Sequence, residues 1–282
     1  MYIILKNKKD IYFWEKLCKK YNIDELYYLN SNSLIFKVLK KIKIVILGKW
    51  KKNIKKYDEF IIFESLYDEN ISKIIKKNNP QCKIIMYFWN FIDIHNEYIL
   101  KDKNVDEFWT FDVKDANKYK LKYNPQFYTK EVILENDDNE KTDVIFLGRM
   151  KDRKNEILKI ETEIKKKGLI TNFKIIENEK DFISYDEYLK NVSATKCILD
   201  YNQKGQTGLS LRPMEALFLE KKLITNNKDI KNYDFYNPNN IFILGEDNIE
   251  NIKEFMDKPY EKVEQKIIDY YDFEQWLSRF EV

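Results

Sequence analysis

The sequence predicts an α/β protein of two domains, each a parallel sheet covered by helices on both faces. Three observations predict it. Short apolar runs alternate with amphipathic stretches along most of the chain. A polar stretch at residues 135–142 divides that alternation into two sets. The 282 residues, 44% hydrophobic and 15% aromatic, are enough for two separate cores.

In the first set the apolar runs at residues 2–5, 26–29, 44–47, 60–63, 84–87 and 108–111 have the length and β-branched or aromatic content of buried strands. The stretches at 12–21, 33–42, 70–77 and 114–123 place apolar residues at helical spacing between them. Residues 135–142 are polar and aperiodic, as an interdomain linker is.

In the second set the strands are expected at 144–147, 173–176, 197–199, 223–225 and 241–244. The helix at 155–167 is closed by Gly168, and the helix at 184–192 opens with Ser184 and Glu187 at capping-box spacing. The helix at 211–219 carries Pro213 in its first turn, where a missing N–H breaks no helical bond. Residues 248–282 read as helical with a break at Pro259. The expected domains are thus 1–138, 139–260, and C-terminal helices at 261–282 that pack back on the first domain.

Composition excludes several functions. Cys18, Cys82 and Cys197 are odd in number and far apart, which argues against a disulfide framework, and His95 is the single histidine, so no His/Cys set has metal-ligand spacing. A net charge of +3 on 50 basic and 47 acidic residues makes no field suited to nucleic acid. No apolar run is long enough to span a bilayer and the N-terminus does not read as a secretory signal, so a cytoplasmic location is expected. The run 49–56 combines lysines with Trp50 and Ile54, which would suit peripheral contact with the inner membrane.

Two loops that follow strands of the second set carry the rare residues. Of the 50 basic residues only Arg149, Arg153, Arg212 and Arg279 are arginine. In a chain that otherwise uses lysine, Arg149, Arg153 and Arg212 beside strand ends suggest places where a planar, bidentate fork is needed. The loop at 201–212 contains Gly205 and Gly208, two of six glycines, and opens into an apolar helix. A glycine loop before a helix N-terminus offers backbone N–H groups to a phosphate; a tight turn is the plainer reading of the two glycines. Glu215 lies among Met214, Ala216, Leu217 and Phe218, an unusual place for a solvated carboxylate.

The stretch Gly208-Leu-Ser-Leu-Arg-Pro-Met-Glu-Ala-Leu, followed by Lys-Lys-Leu-Ile-Thr-Asn-Asn, resembles the donor-binding half of GT-B glycosyltransferases, in particular the CgeB-like and the lipopolysaccharide core or capsule transferases. Asp143-Val-Ile-Phe-Leu-Gly148-Arg149 resembles the strand, Gly, Arg opening of the same half. The resemblance covers residues 143–244. It implies a GT-B-like fold, two Rossmann-like domains with parallel sheets facing a central cleft, and transfer of a sugar from a nucleotide-diphosphate donor to a glycan or lipid-linked glycan acceptor without a metal or other cofactor.

By that resemblance Gly148, Arg149 and Arg153 lie at the donor diphosphate, with the backbone N–H groups of Gly208 and Leu209. Glu215 accepts from the ribose hydroxyls, Arg212 serves phosphate or sugar, and Tyr201 and Gln203 reach the base or the sugar. The glycine loop lacks the acid that many retaining members carry there, so Gln206 or Thr207 would orient the sugar and the stereochemical course stays open. In the first domain Asp93 or His95, after an aromatic strand, would take the acceptor proton, and Glu64 at another strand end is a comparable candidate. A nucleotide-sugar epimerase or hydrolase and a non-catalytic binding protein are the alternatives.

Overall fold

The computed structural model describes residues 1–7, 13–26, 49–134, 142–149, 153–178, 181–203 and 206–280. The chain divides into two compact units, Met1–Asn124 and Pro125–Val282.

The first unit is a parallel sheet of β1 (Tyr2–Asn7), β2 (Ile23–Leu26), β3 (Glu59–Phe63), β4 (Lys83–Phe88), β5 (Glu107–Thr110) and β6 (Lys122–Tyr123), in the order β2-β1-β3-β4-β5-β6. Its helices are α1 (Trp14–Leu17), α2 (Glu69–Asn78) and α3 (Val113–Tyr119). Both faces of β3 and β4 are buried, which is why these strands read as unbroken apolar runs rather than alternating ones. Phe60, Ile62, Ile84, Met86 and Phe88 face one core with Ile71 and Ile75 of α2. Each such side chain contributes about 1.5–3 kcal/mol of transfer free energy. Asp68 caps α2 by accepting from the Asn70 N–H at 2.8 Å, and Asp112 caps α3 at Lys114 and Asp115. α3 stops at Lys120, which takes the left-handed conformation (φ 55°), so the helix expected to reach residue 123 instead gives way to β6.

The second unit is a parallel sheet of β7 (Thr142–Arg149), β8 (Thr171–Ile176), β9 (Thr195–Asp200), β10 (Lys222–Thr225) and β11 (Ile241–Ile243), in the order β11-β10-β9-β7-β8. Helices α4 (Lys154–Lys166), α5 (Tyr185–Ser193) and α6 (Leu211–Phe218) connect consecutive strands, and α7 (Ile252–Asp257), α8 (Gln265–Tyr271) and α9 (Phe273–Ser278) close the chain. Gly168 ends the α4 segment with φ 78°, and the Ser184 side chain accepts from the Glu187 N–H at 3.1 Å. Val144, Phe146, Cys197, Leu199, Ile224 and Phe242 form a core with Ile157 and Ile164 of α4 and Ile252 and Phe255 of α7.

The strand runs at 44–47 and 27–29, the helix at 33–42 and linker residues 135–141 lie outside the described residues. The division between units falls at Asn124/Pro125 rather than at 138/139. The reason is local pairing. The Tyr128 N–H donates to the Tyr271 carbonyl at 3.0 Å, the Phe273 N–H donates to the Tyr128 carbonyl at 2.9 Å, and Phe127 packs on Trp276 with centroids 4.2 Å apart. The C-terminal helices do meet residues before position 138, but those residues belong to the second unit themselves.

The membrane-facing role expected of Trp50 and Ile54 is corrected. In the 3-10 helix Lys49–Lys56 these two side chains are 1% and 3% exposed and belong to the core of the first unit, with Trp50 edge-on to Phe60 at 5.8 Å. Lys51, Lys52, Lys55 and Lys56 point to solvent. An apolar half that could enter a bilayer is therefore missing from this element. Among the described residues, no helix is long and apolar enough to cross a membrane.

Candidate functional site

In the second sheet β7 has β8 on one side and β9 on the other, so the chain order reverses there. In open parallel sheets ligands bind outside the carboxyl ends of the strands at such a reversal. Arg212, in the first turn of α6, spans it. Its Nη2 donates to the Leu147 carbonyl of β7 at 2.6 Å, and its Nη1 lies 3.9 Å from Oδ1 of Asp200, the last residue of β9.

Three features hold Arg212 there. Ser210 caps α6, accepting from the Arg212 N–H at 3.3 Å while its own hydroxyl donates to Asp200 Oδ1 at 2.6 Å. Asp200 also accepts from the Thr225 hydroxyl at 3.2 Å, so the ends of β9 and β10 and the start of α6 meet on one buried carboxylate. Gly148 leaves the room: a Cβ at that position would meet Arg212 Nη2 at 2.7 Å and the Phe146 ring at 3.0 Å. Because 146 and 148 share a face of β7, the missing side chain leaves the end of the buried Phe146 ring to be covered by Arg212.

Arg153 reaches the same ring. Its guanidinium carbon is 5.9 Å from the Phe146 centroid and that of Arg212 is 5.2 Å away. Arg153 stands immediately before α4 and is 8% exposed. Tyr201, just after β9, is near enough to feel Arg153 and Glu156. Burial raises its hydroxyl pKa, Glu156 adds to the rise, and a hydrogen bond to Asn226 and the charge of Arg153 oppose it. The structure thus brings together Gly148, Arg153, Arg212 and Tyr201. Arg149 ends β7, and its side chain lies outside what is described.

Gly208 and Leu209 are buried beside the start of α6, and the Thr207 carbonyl accepts from Asn227 Nδ2 at 3.3 Å, which pins the loop to the end of β10. Gln206 and Thr207 are half-buried, and the Gln206 N–H donates to the Gln203 carbonyl at 3.1 Å. Gly205 lies outside the described residues.

Glu215 has partners other than the expected ribose. It is 3% exposed, Tyr188 donates to Oε2 at 2.7 Å and Tyr185 to Oε1 at 3.1 Å, and the Tyr185 hydroxyl also pairs with that of Tyr128. Burial raises the Glu215 pKa, and the bond from Tyr188, the charge of Arg212 and the bond from Tyr185 oppose it. Both carboxylate oxygens are engaged, so in this arrangement Glu215 fastens α5 to α6.

The two candidates after β4 form a turn. The Asp93 carboxylate accepts from the His95 N–H at 2.8 Å, the Asp93 N–H donates to Asn96 Oδ1 at 2.9 Å, and the His95 side chain is exposed. Glu64 follows β3, next to β1, where the first sheet reverses its order. It is 6% exposed, accepts from the Trp89 N–H at 2.6 Å and pairs with Asn90 Nδ2. Burial pushes its pKa up from 4.5 to about 7, against the pull of these two bonds and of the nearby Glu64 and Ser65 N–H groups. Beside it Phe63 makes T-shaped contacts with Trp14 and Trp89, with centroids 5.4 Å from each tryptophan.

Asp200, Ser210, Asn202, Asn226 and Asn227 were not singled out by their sequence. The available signal was position: Asp200-Tyr-Asn and Thr225-Asn-Asn each end a buried strand of the same sheet.

No protein-family model matches the chain, and no curated protein matches it. Among solved structures it is similar to the NAD+-bound 3-phosphoglycerate dehydrogenase of Entamoeba histolytica, at 13% identity over 96% of this chain and 95% of that one, with a TM-score of 0.21. A similarity of that size bears on neither fold nor ligand.

Proposed function

We propose that the chain is a metal-independent glycosyltransferase of the GT-B type, moving a sugar from a nucleotide-diphosphate donor to a cell-surface glycan acceptor in the cytoplasm. The second unit holds the donor and the first receives the acceptor. The observation that carries this reading is the convergence of Arg153 and Arg212 on Phe146 at the reversal of the second sheet. Two cations fixed from different loops beside a helix start suit a dianionic group.

In this reading the acceptor hydroxyl attacks the anomeric carbon, its oxygen–carbon bond forms, and the bond from that carbon to the diphosphate oxygen breaks. The electron pair stays on the diphosphate. Arg212, Arg153 and Arg149, with the amides at Gly208 and Leu209, stabilise the charge that develops there, a role for which fixed donors need no reorganisation. Tyr201, Gln203, Gln206 and Thr207 line the base and sugar, and Glu215 positions α6 instead of contacting ribose. The hydroxyl proton goes to a group of the first unit. Asp93, His95 and Glu64 are the candidates, and burial raises the pKa of Glu64 toward the range a base needs at neutral pH.

Release of nucleoside diphosphate from UDP, GDP and dTDP sugars, with and without oligosaccharide acceptors, tests this. Acceptor-dependent release supports transfer. Release without acceptor points to a hydrolase, and tight binding without release to a non-catalytic binding protein; either result overturns the proposal.

A further inference from the structure

Asn202 lies two residues beyond the end of β9, in the connection to α6, and is 6% exposed. Neither Oδ1 nor Nδ2 of its side chain has a hydrogen-bond partner. Asn202 alone among the described residues has two such atoms. Burying an amide unpaired is unfavourable, and native structures keep few such groups, so each one calls for an explanation.

Its backbone cannot drift to relieve the loss. The Asn202 N–H donates to Asn226 Oδ1 at 2.7 Å, and its carbonyl accepts from Asn226 Nδ2 at 3.2 Å. That second loop is fixed in turn by Asn227, which accepts from the Asp229 N–H at 3.1 Å and donates to the Thr207 carbonyl at 3.3 Å. The backbone that carries the carboxamide is therefore tied to the loop after β10, two residues beyond Asp200, which itself joins Thr225 and the cap of α6. A buried carboxamide on a fixed backbone, with one acceptor and two donors left over, is suited to recognition.

We propose that the Asn202 carboxamide hydrogen-bonds the nucleotide-sugar donor, through a ligand group that presents a donor and an acceptor side by side, on the nucleobase edge or on the sugar. A carboxamide meets such a pair with two bonds at once. The proposal rests on the donor-binding reading of the second unit and adds a contact to it.

The test is calorimetry and thermal melting of wild type and Asn202→Leu with UDP, GDP and dTDP and with their sugars. Removing an unpaired polar group should leave the melting temperature of the ligand-free protein unchanged or higher, while the dissociation constant rises about 10- to 100-fold. An equal loss for nucleoside diphosphate and nucleotide sugar assigns the contact to the base; a loss confined to nucleotide sugar assigns it to the sugar. Asn202→Asp keeps the shape and removes the nitrogen donor, and should weaken binding at least tenfold even if the leucine variant fails to fold. Variants that bind as wild type does overturn the proposal alone, the result a buried water partner would give. A wild type that binds none of these ligands overturns the donor reading and this proposal together.

Discussion

The guanidinium of Arg212 occupies the space that a side chain at Gly148 would need. A Cβ there would come within 2.7 Å of Nη2, whose bond to the Leu147 carbonyl is 2.6 Å long. Glycine at 148 is thus a condition for the position of an arginine 64 residues later rather than for a turn. Gly148→Ala should push Arg212 off β7 and weaken binding of nucleoside diphosphates about as much as Arg212→Ala does. Calorimetric titration of both variants checks this; a Gly148→Ala protein that binds like wild type contradicts it.

Glu215 should matter to stability more than to ligand contact. Its truncation to alanine leaves the Tyr185 and Tyr188 hydroxyls buried without their carboxylate, which costs about 3–5 kcal/mol. Tyr188→Phe removes one donor and should cost less, about 1–3 kcal/mol. Urea unfolding at neutral pH measures both.

Glu64 makes a pH prediction. Its pKa is higher in the folded chain, about 7 against an ordinary 4.5, so the folded state binds the proton more tightly. The stabilisation is complete below pH 4.5 and is lost as pH rises through about 7, a change of about 3 kcal/mol. Wild type should lose more stability than Glu64→Gln over that interval. If Glu64 also takes the acceptor proton, the acidic limb of the activity profile near pH 7 disappears in the variant. Parallel stability curves for the two proteins would refute the pH assignment.

The 3-10 helix Lys49–Lys56 offers a contrast between core and surface. Trp50→Ala should destabilise the chain by about 3–5 kcal/mol, because the indole is buried against Phe60. Replacing Lys51 and Lys55 with glutamine should leave unfolding within about 0.5 kcal/mol of wild type, since both are exposed. Chemical denaturation distinguishes the two.

The strands were legible because burial on both faces writes itself as an apolar run. Ile61 to Phe63, Ile84 to Phe88 and Val144 to Phe146 could hardly have been anything else. The cap of α5 was legible for the same local reason, as Ser184 shows. Of the residues that meet at the reversal of the second sheet, rarity marked Arg153, Arg212 and Gly148 in the sequence. Asp200 and Asn202 were not legible, because an aspartate or asparagine after a strand looks like any turn residue until burial and partners are known. Glu215 misled for the opposite reason: its apolar neighbours signalled burial correctly, but two tyrosines from α5, distant in sequence, take its oxygens. Trp50 misled in the same way, since lysines around an indole do not say which side of the helix faces the core.

In the proposed donor site Arg153 and Arg212 hold the diphosphate at the reversal of the second sheet. Isothermal titration of UDP, GDP and dTDP into wild type, Arg153→Ala and Arg212→Ala, without added metal, tests it most directly. At least one nucleotide should bind wild type, and each substitution should weaken it at least tenfold, about 1.4 kcal/mol. Affinity that neither substitution changes, or no binding to wild type at all, would contradict the claim.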